Sequence, residues 1–141
     1  MPSKTLNIAL AGTGVGKSLF MCHAASNFLT QGLNVLYITL EMAEERIAER
    51  IDANLFDVTI DDLHDMPKQL YDNKVSKLQA KTGGKLIIKE YPTASAHSGH
   101  FRALLNELAL KKSFKPDVVF VDYLNICASA RFKGGLSLIH I

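Results

Sequence analysis

Residues 11–18, with the sequence AGTGVGKS, combine the residue types needed to bind a nucleoside triphosphate. Gly14 and Gly16 allow a tight loop whose backbone N–H groups point inward and form a nest for phosphate oxygens. Lys17 would reach the β- and γ-phosphates, and the Ser18 hydroxyl would coordinate magnesium. The pattern predicts contacts to the nucleotide from Gly12, Thr13, Gly14, Val15, Gly16, Lys17 and Ser18.

The elements on either side of this loop support that interpretation. Residues 6–10 are a short apolar run typical of a strand in a parallel sheet, and a helix is predicted over Lys17–Thr30. The helix would direct the positive end of its dipole at the phosphates. A glycine-rich turn with an incidental surface lysine is the alternative, and the flanking strand and helix argue against it.

Asp122 ends a second apolar run, VVFVD, and is the candidate acid on the magnesium side of the site. A carboxylate at the end of a buried strand can hold magnesium through its water shell, opposite the Ser18 hydroxyl. An aspartate at such a position is also a common helix cap or turn former. The phosphate loop is what favours the metal-site interpretation.

Hydrolysis also needs a group that orients or deprotonates the attacking water, and the residue after Asp122 is Tyr123, which is not an acid. Glu41, in the segment ITLEM, follows another apolar strand and is the best-placed carboxylate. Glu41 could instead begin the next helix, where an acid favours the helix dipole. The sequence leaves these two interpretations open.

Strands and helices are predicted to alternate, which gives an α/β fold with a mostly parallel sheet and a ligand site at the carboxyl ends of the strands. The predicted strands are residues 6–10, 35–40, 85–91 and 118–121, and the predicted helices are residues 17–30, 43–56, pieces of 57–81, and a helix with the apolar face Phe101, Leu104, Leu105 and Leu108.

Bulk composition narrows the class of protein. Hydrophobic residues make up 48% and charged residues 21%, which indicates a folded globular chain of one domain or part of one. The net charge of +2 is too small to indicate a nucleic-acid partner. Cys22 and Cys127 have no metal-ligand spacing, and no signal peptide or membrane-length apolar run is present, so a cytoplasmic protein without a membrane partner is expected.

In the order AGTGVGKS, ITLEM and VVFVDYLNIC, the sequence resembles the RecA-like motor domain of DnaB-type replicative helicases. The segments EMAEERIAERIDANLFDV, YPT and FRALLNELALKK are similar to the T-even phage branch of that family. The resemblance covers residues 4–133, and it implies Glu41 as catalytic base, with Lys17 and Asp122 as further catalytic residues and Ser18 and Asp122 as magnesium ligands.

The resemblance also implies cofactors and partners for the full-length protein. These are ATP and Mg²⁺, a hexameric ring of identical subunits, single-stranded DNA, and a primase and a helicase loader in the host cytoplasm. Lys111, Lys112 and Lys115 could touch DNA phosphates, although lysines at a helix end also complement the dipole.

The resemblance further implies that the domain is incomplete in this chain. Residues 1–135 are expected to be a partial RecA-like ATPase domain without its sensor strand, DNA-binding loops and arginine finger. Residues 136–141 (LSLIHI) are expected to be a non-native tail, a native apolar tail being the alternative. The missing sensor strand predicts a gap in the sheet beside the Asp122 strand and poor stability of the chain alone.

Two other functions share the phosphate loop. A P-loop kinase or other phosphotransferase would use Lys17, Ser18 and Asp122 but not Glu41 as a base for water. A fragment that binds nucleotide without activity of its own is the second alternative.

Overall fold

The computed structural model describes residues 5–7, 16–91 and 97–122, and these residues form an α/β fold. Helices and strands alternate much as predicted, except that three successive helices lie between β1 and β2. The elements are α1 (Lys17–Thr30), β1 (Val35–Thr39), α2 (Glu44–Phe56), α3 (Ile60–Asp65), α4 (Lys68–Thr82), β2 (Leu86–Glu90), α5 (Ser98–Lys111) and β3 (Val118–Asp122).

The three strands form a parallel sheet in the order β2-β1-β3. All five residues of the central strand β1 are buried, as expected for a strand covered on both faces. The register pairs Thr39 with Glu90 on one side and with Asp122 on the other. All three strands therefore end at the same edge, which we call the carboxyl edge.

Hydrophobic cores lie on both faces of the sheet because the side chains of β1 alternate between them. Each fully buried aliphatic or aromatic side chain contributes about 1.5–3 kcal/mol relative to exposure. One core joins α1 and α2 to the sheet and contains Cys22, Ala25, Leu29, Val35, Tyr37, Ile47, Ile51 and Phe120. The other joins α5 to the sheet and contains Leu36, Ile38, Leu40, Leu104, Leu108 and Phe114.

Helices α3 and α4 confirm the prediction of helical pieces after residue 57, but α4 packs loosely. None of its residues is buried. Its Tyr71 hydroxyl donates to Oδ2 of Asp52 on α2 at 2.7 Å, and the Tyr71 ring meets Phe56 edge-on. Pro67 precedes the first helical residue of α4, and its ring fixes φ at a value that suits this position.

A cleft of about 500 Å³ lies between α4, the carboxyl end of α2 and the start of β2. Val75, Leu78 and Leu86 contribute apolar walls, and Asp52 contributes a carboxylate. Because this cleft lies where β2 begins, it is remote from the carboxyl edge.

The predicted strand over residues 6–10 is not present at its first two residues. Leu6 and Asn7 lie outside any strand, and the Leu6 side chain is 78% exposed. The Asn7 amide instead donates to the nearby Thr5 hydroxyl at 3.2 Å. Residues 8–10 lie outside the described part of the chain. The expected gap beside β3 therefore stays a prediction. Among the described residues, β3 pairs with β1 on one side and with no strand on the other.

Candidate nucleotide-binding site

The carboxyl edge brings together two of the acids predicted from the sequence. Asp122 is the last residue of β3, and its Cα pairs with that of Thr39 at the end of β1. Glu41 follows Thr39 by two residues and lies in the bend between β1 and α2. The two candidate acids thus lie at the ends of neighbouring strands, at the carboxyl edge of the sheet.

Asp122 is buried almost completely, with 2% of its surface exposed. Its Oδ2 accepts a hydrogen bond from the Tyr37 hydroxyl at 2.9 Å. Its Oδ1 is buried and has no hydrogen-bond partner among the described residues. A buried carboxylate oxygen is costly unless something pairs with it, and Mg²⁺ prefers oxygen ligands of this kind. The arrangement at Asp122 therefore fits a magnesium site.

Tyr37 was not predicted as part of the site. Its side chain is fully buried, and its ring stacks on Phe120 with centroids 5.7 Å apart. Burial raises the pKa of Tyr37 well above its ordinary value, and the nearby Cys22 and Asp122 raise it further. The phenol therefore stays protonated and donates to Asp122. Burial also raises the pKa of Cys22, whose Sγ lies 3.9 Å from the Tyr37 oxygen.

The bend that carries Glu41 is fixed by Thr39. The Thr39 hydroxyl donates to the Met42 carbonyl at 2.8 Å and accepts from the Met42 N–H at 3.2 Å. Glu41 itself is exposed. Helix α2 begins only at Glu44, so the alternative in which Glu41 starts the helix is wrong. Glu44 and Glu45 are the acids of the first turn.

A reciprocal pair of hydrogen bonds ties the start of α2 to the end of β2. The Glu44 N–H donates to Glu90 Oε2 at 3.2 Å, and the Glu90 N–H donates to Glu44 Oε1 at 3.0 Å. This clasp lies next to the bend that carries Glu41. It limits the freedom of that bend from the side opposite β3.

Helix α1 begins at Lys17, as predicted, directly after Gly16. Gly16 has φ of 87°, a left-handed conformation that glycine adopts without strain. Lys17 and Ser18 are half-buried in the first turn of α1. The helix as a whole packs against β1 and β3. No acid lies in that turn, so its N-terminal dipole is available to an anion. Gly12, Thr13, Gly14 and Val15 lie outside the described residues.

The position of Lys111 agrees with the interpretation that a lysine at the end of α5 complements the helix dipole. Lys111 lies in the last turn of α5, and its Nζ is 3.1 Å from Glu107 Oε1. A cation at this position complements the helix dipole. Contact of Lys111, Lys112 or Lys115 with DNA stays a prediction.

The described residues contain no cluster of three or more histidine, cysteine, aspartate or glutamate side chains suited to hold a metal ion. Among them, no helix combines the length and apolar character needed to cross a membrane.

Comparison with known proteins identifies the family. The profile described as "DnaB-like helicase C terminal domain" matches residues 1–135. A DnaB-like replicative helicase of Enterobacteria phage T4 is 52% identical over 132 residues, which are 92% of this chain and 28% of that relative. The chain thus spans less than a third of that relative's length. On the profile match and the parallel α/β architecture, the chain belongs to the family of DnaB-like helicase C-terminal domains and has their RecA-like fold.

Proposed function

We propose that the carboxyl edge binds Mg²⁺–ATP and hydrolyses it, as part of the motor of a replicative DNA helicase. The observation that carries the proposal is the pairing of Thr39 with Asp122, which puts Glu41 and a buried carboxylate at one edge of the sheet. Helix α1, whose first turn carries Lys17 and Ser18, packs against the same two strands. Family membership and the phage relative support the assignment to helicases.

Each residue has a distinct role in the proposed reaction. Lys17 binds the β- and γ-phosphates, and the backbone N–H groups of Gly12, Thr13, Gly14, Val15 and Gly16 cradle them. Ser18 and Asp122 would hold Mg²⁺, which would neutralise phosphate charge.

Glu41 orients a water molecule and accepts its proton as the water oxygen bonds to the γ-phosphorus. The bond between the γ-phosphorus and the bridging oxygen breaks, and ADP leaves with that electron pair. The Thr39 hydroxyl bonds hold the bend of Glu41 in place during this step.

The partners belong to the proposal for the whole protein. Hydrolysis would drive translocation on single-stranded DNA by a hexameric ring, with a primase and a helicase loader as further partners. We assign residues 1–135 to the motor domain and treat residues 136–141 as a tail outside it.

A Glu41→Gln substitution in the complete protein tests the reaction. Hydrolysis stimulated by single-stranded DNA should fall by about 10²–10⁴-fold, the usual contribution of a general base, with nucleotide affinity retained. Glu45→Gln is the matched control, because Glu45 is exposed in the first turn of α2 and should leave hydrolysis unchanged.

Two results would contradict this function. One is a Glu41→Gln protein that hydrolyses ATP at the wild-type rate. The other is a wild-type protein that ignores single-stranded DNA and transfers phosphate to a small molecule, as a P-loop kinase would.

A further inference from the structure

The hydroxyl of Tyr37 is a polar group between the apolar residues Leu36 and Ile38 of β1, and the reaction proposed above does not use it. In the sheet register, Tyr37 pairs with Phe120, and Asp122 lies two residues further along β3 on the same face. Such diagonal neighbours are within reach of a long aromatic side chain. The Tyr37 hydroxyl reaches Asp122 Oδ2 at 2.9 Å in this way.

The direction of this hydrogen bond is fixed. The Tyr37 hydroxyl donates to Asp122 Oδ2, so the tyrosine proton lies between the two oxygens. The lone pairs of the Tyr37 oxygen are then free to accept from the Cys22 thiol, at 3.9 Å. A chain of donors thus runs from α1 through β1 to the end of β3.

The ring of Tyr37 has little freedom to move. It is fully buried and stacks on Phe120 with an interplanar angle of 18°. Core packing holds the Tyr37 side chain, and β1, which carries it, is paired with a strand on each side. The position of the hydroxyl next to Asp122 is therefore fixed.

This rigidity matters for Asp122 because a carboxylate group rotates easily about its last torsion angle. A fixed donor on Oδ2 removes that freedom. The other oxygen, Oδ1, is buried and has no partner among the described residues. Of the two carboxylate oxygens, Oδ1 is therefore the one left for a ligand.

We propose that Tyr37 is a positioning residue, whose hydroxyl holds Oδ2 of Asp122 so that Oδ1 remains available to the Mg²⁺ of a bound nucleotide. The inference rests on the proposed function of the carboxyl edge. Groups that orient a metal ligand from behind usually change metal affinity by about 10–100-fold when they are removed.

A matched pair of substitutions in the complete protein tests the proposal. Tyr37→Phe keeps the buried ring and removes the hydroxyl. Tyr71→Phe removes an equivalent bond between a tyrosine and an aspartate, at 2.7 Å, in a different part of the fold. The measurement is binding of a fluorescent ATP analogue, titrated with Mg²⁺ and repeated in EDTA.

Tyr37→Phe should raise the Mg²⁺ concentration for half-maximal binding by about tenfold, with binding in EDTA unchanged. Tyr71→Phe should match the wild type in both titrations. A merely structural role for Tyr37 would weaken binding equally with and without Mg²⁺.

Equal Mg²⁺ requirements in Tyr37→Phe and the wild type would overturn the positioning role and leave the proposed function intact. Nucleotide binding by the wild-type protein that does not depend on Mg²⁺ would contradict both the positioning role and the proposed function.

If thermal melting shows that Tyr37→Phe does not fold, the wild-type protein labelled with 3-fluorotyrosine replaces it. The ¹⁹F resonance of Tyr37, assigned by elimination with Phe substitutions at the other tyrosines, should shift when Mg²⁺ is added to the nucleotide complex. The resonance of Tyr71 should stay in place. A Tyr37 resonance that does not respond to Mg²⁺ would contradict the proposal.

Discussion

Two hydrogen bonds between a tyrosine and an aspartate occur among the described residues, in very different surroundings. Tyr37 donates to Asp122 at 2.9 Å inside the core, where Asp122 is 2% exposed. Tyr71 donates to Asp52 at 2.7 Å at the boundary between α2 and α4. The chemistry is the same in both pairs, and the packing around them differs.

The difference teaches how packing decides what a polar contact does. Around Tyr37, three elements meet, and the hydrogen bond can fix the direction of a carboxylate. Around Tyr71, the helix α4 has no buried residue, so the hydrogen bond mainly attaches that helix to α2. We expect the first pair to govern the site and the second to govern the attachment of α4.

The largest expected effect comes from removing each aromatic ring. Tyr37→Ala should lower the free energy of unfolding by about 3–5 kcal/mol, because it leaves a cavity in the core. Tyr71→Ala should cost less, since its side chain is only half-buried. Urea denaturation of both variants measures the difference, and equal losses would erase the contrast between the two regions.

A smaller loss is expected from Thr39→Val, which removes the two bonds of the Thr39 hydroxyl to Met42. Leaving these half-buried backbone groups unpaired should cost about 1–3 kcal/mol. ATP hydrolysis should also fall, because the bend that carries Glu41 is released.

Thr82→Val is the matched control for that substitution. Its hydroxyl donates to the Leu78 carbonyl within α4, at 2.8 Å. This variant should leave hydrolysis at the wild-type rate. Loss of hydrolysis in both variants would mean that the bend has no special role.

Tyr71→Phe should lower the free energy of unfolding by about 1 kcal/mol, the usual net contribution of one hydrogen bond. Its site lies in the loosely packed region, so the loss should appear mainly as faster hydrogen exchange in α4. Protection of β1 should not change. Faster exchange throughout the sheet would show that α4 and the core unfold together.

The smallest effect concerns the charge of Asp52. Burial raises the pKa of this carboxyl, and the Tyr71 hydrogen bond opposes the shift. A raised pKa means that the folded state favours the protonated carboxyl more than the unfolded state does. The contribution of Asp52 to the free energy of unfolding is therefore lost as pH rises through the folded-state pKa.

Asp52→Asn keeps an acceptor for Tyr71 and removes the charge. It should therefore raise the melting temperature at pH 7, and this advantage should vanish below the ordinary aspartate pKa of about 3.9. Thermal melts of the variant and the wild type across this range provide the measurement. An advantage that grows in acid would reverse the assigned sign.

Local patterns in the sequence predicted much of this fold. Helix α1 has the predicted bounds because the glycine before Lys17 and the spacing of Cys22, Ala25 and Leu29 are local signals. The apolar run over residues 35–40 likewise predicted the strand β1. Asp122 and Glu41 were predicted at the carboxyl edge because parallel strands end together.

Contacts that depend on register were not predictable in the same way. The bond from Tyr37 to Asp122 requires β1 and β3 to pair with Phe120 opposite Tyr37. The clasp between Glu44 and Glu90 requires β2 to lie on the other side of β1. The tyrosine hydroxyl between Leu36 and Ile38 was the signal that could have indicated Tyr37.

Because Cys22 is completely buried, the reactivity of its thiol can report local opening of the core. A thiol-specific reagent can reach it only when α1 moves away from the sheet. In a background with Cys127→Ser, the rate of labelling at Cys22 would count these openings beside Tyr37 without any introduced probe. Bound nucleotide that clamps α1 would then be visible as protection from alkylation.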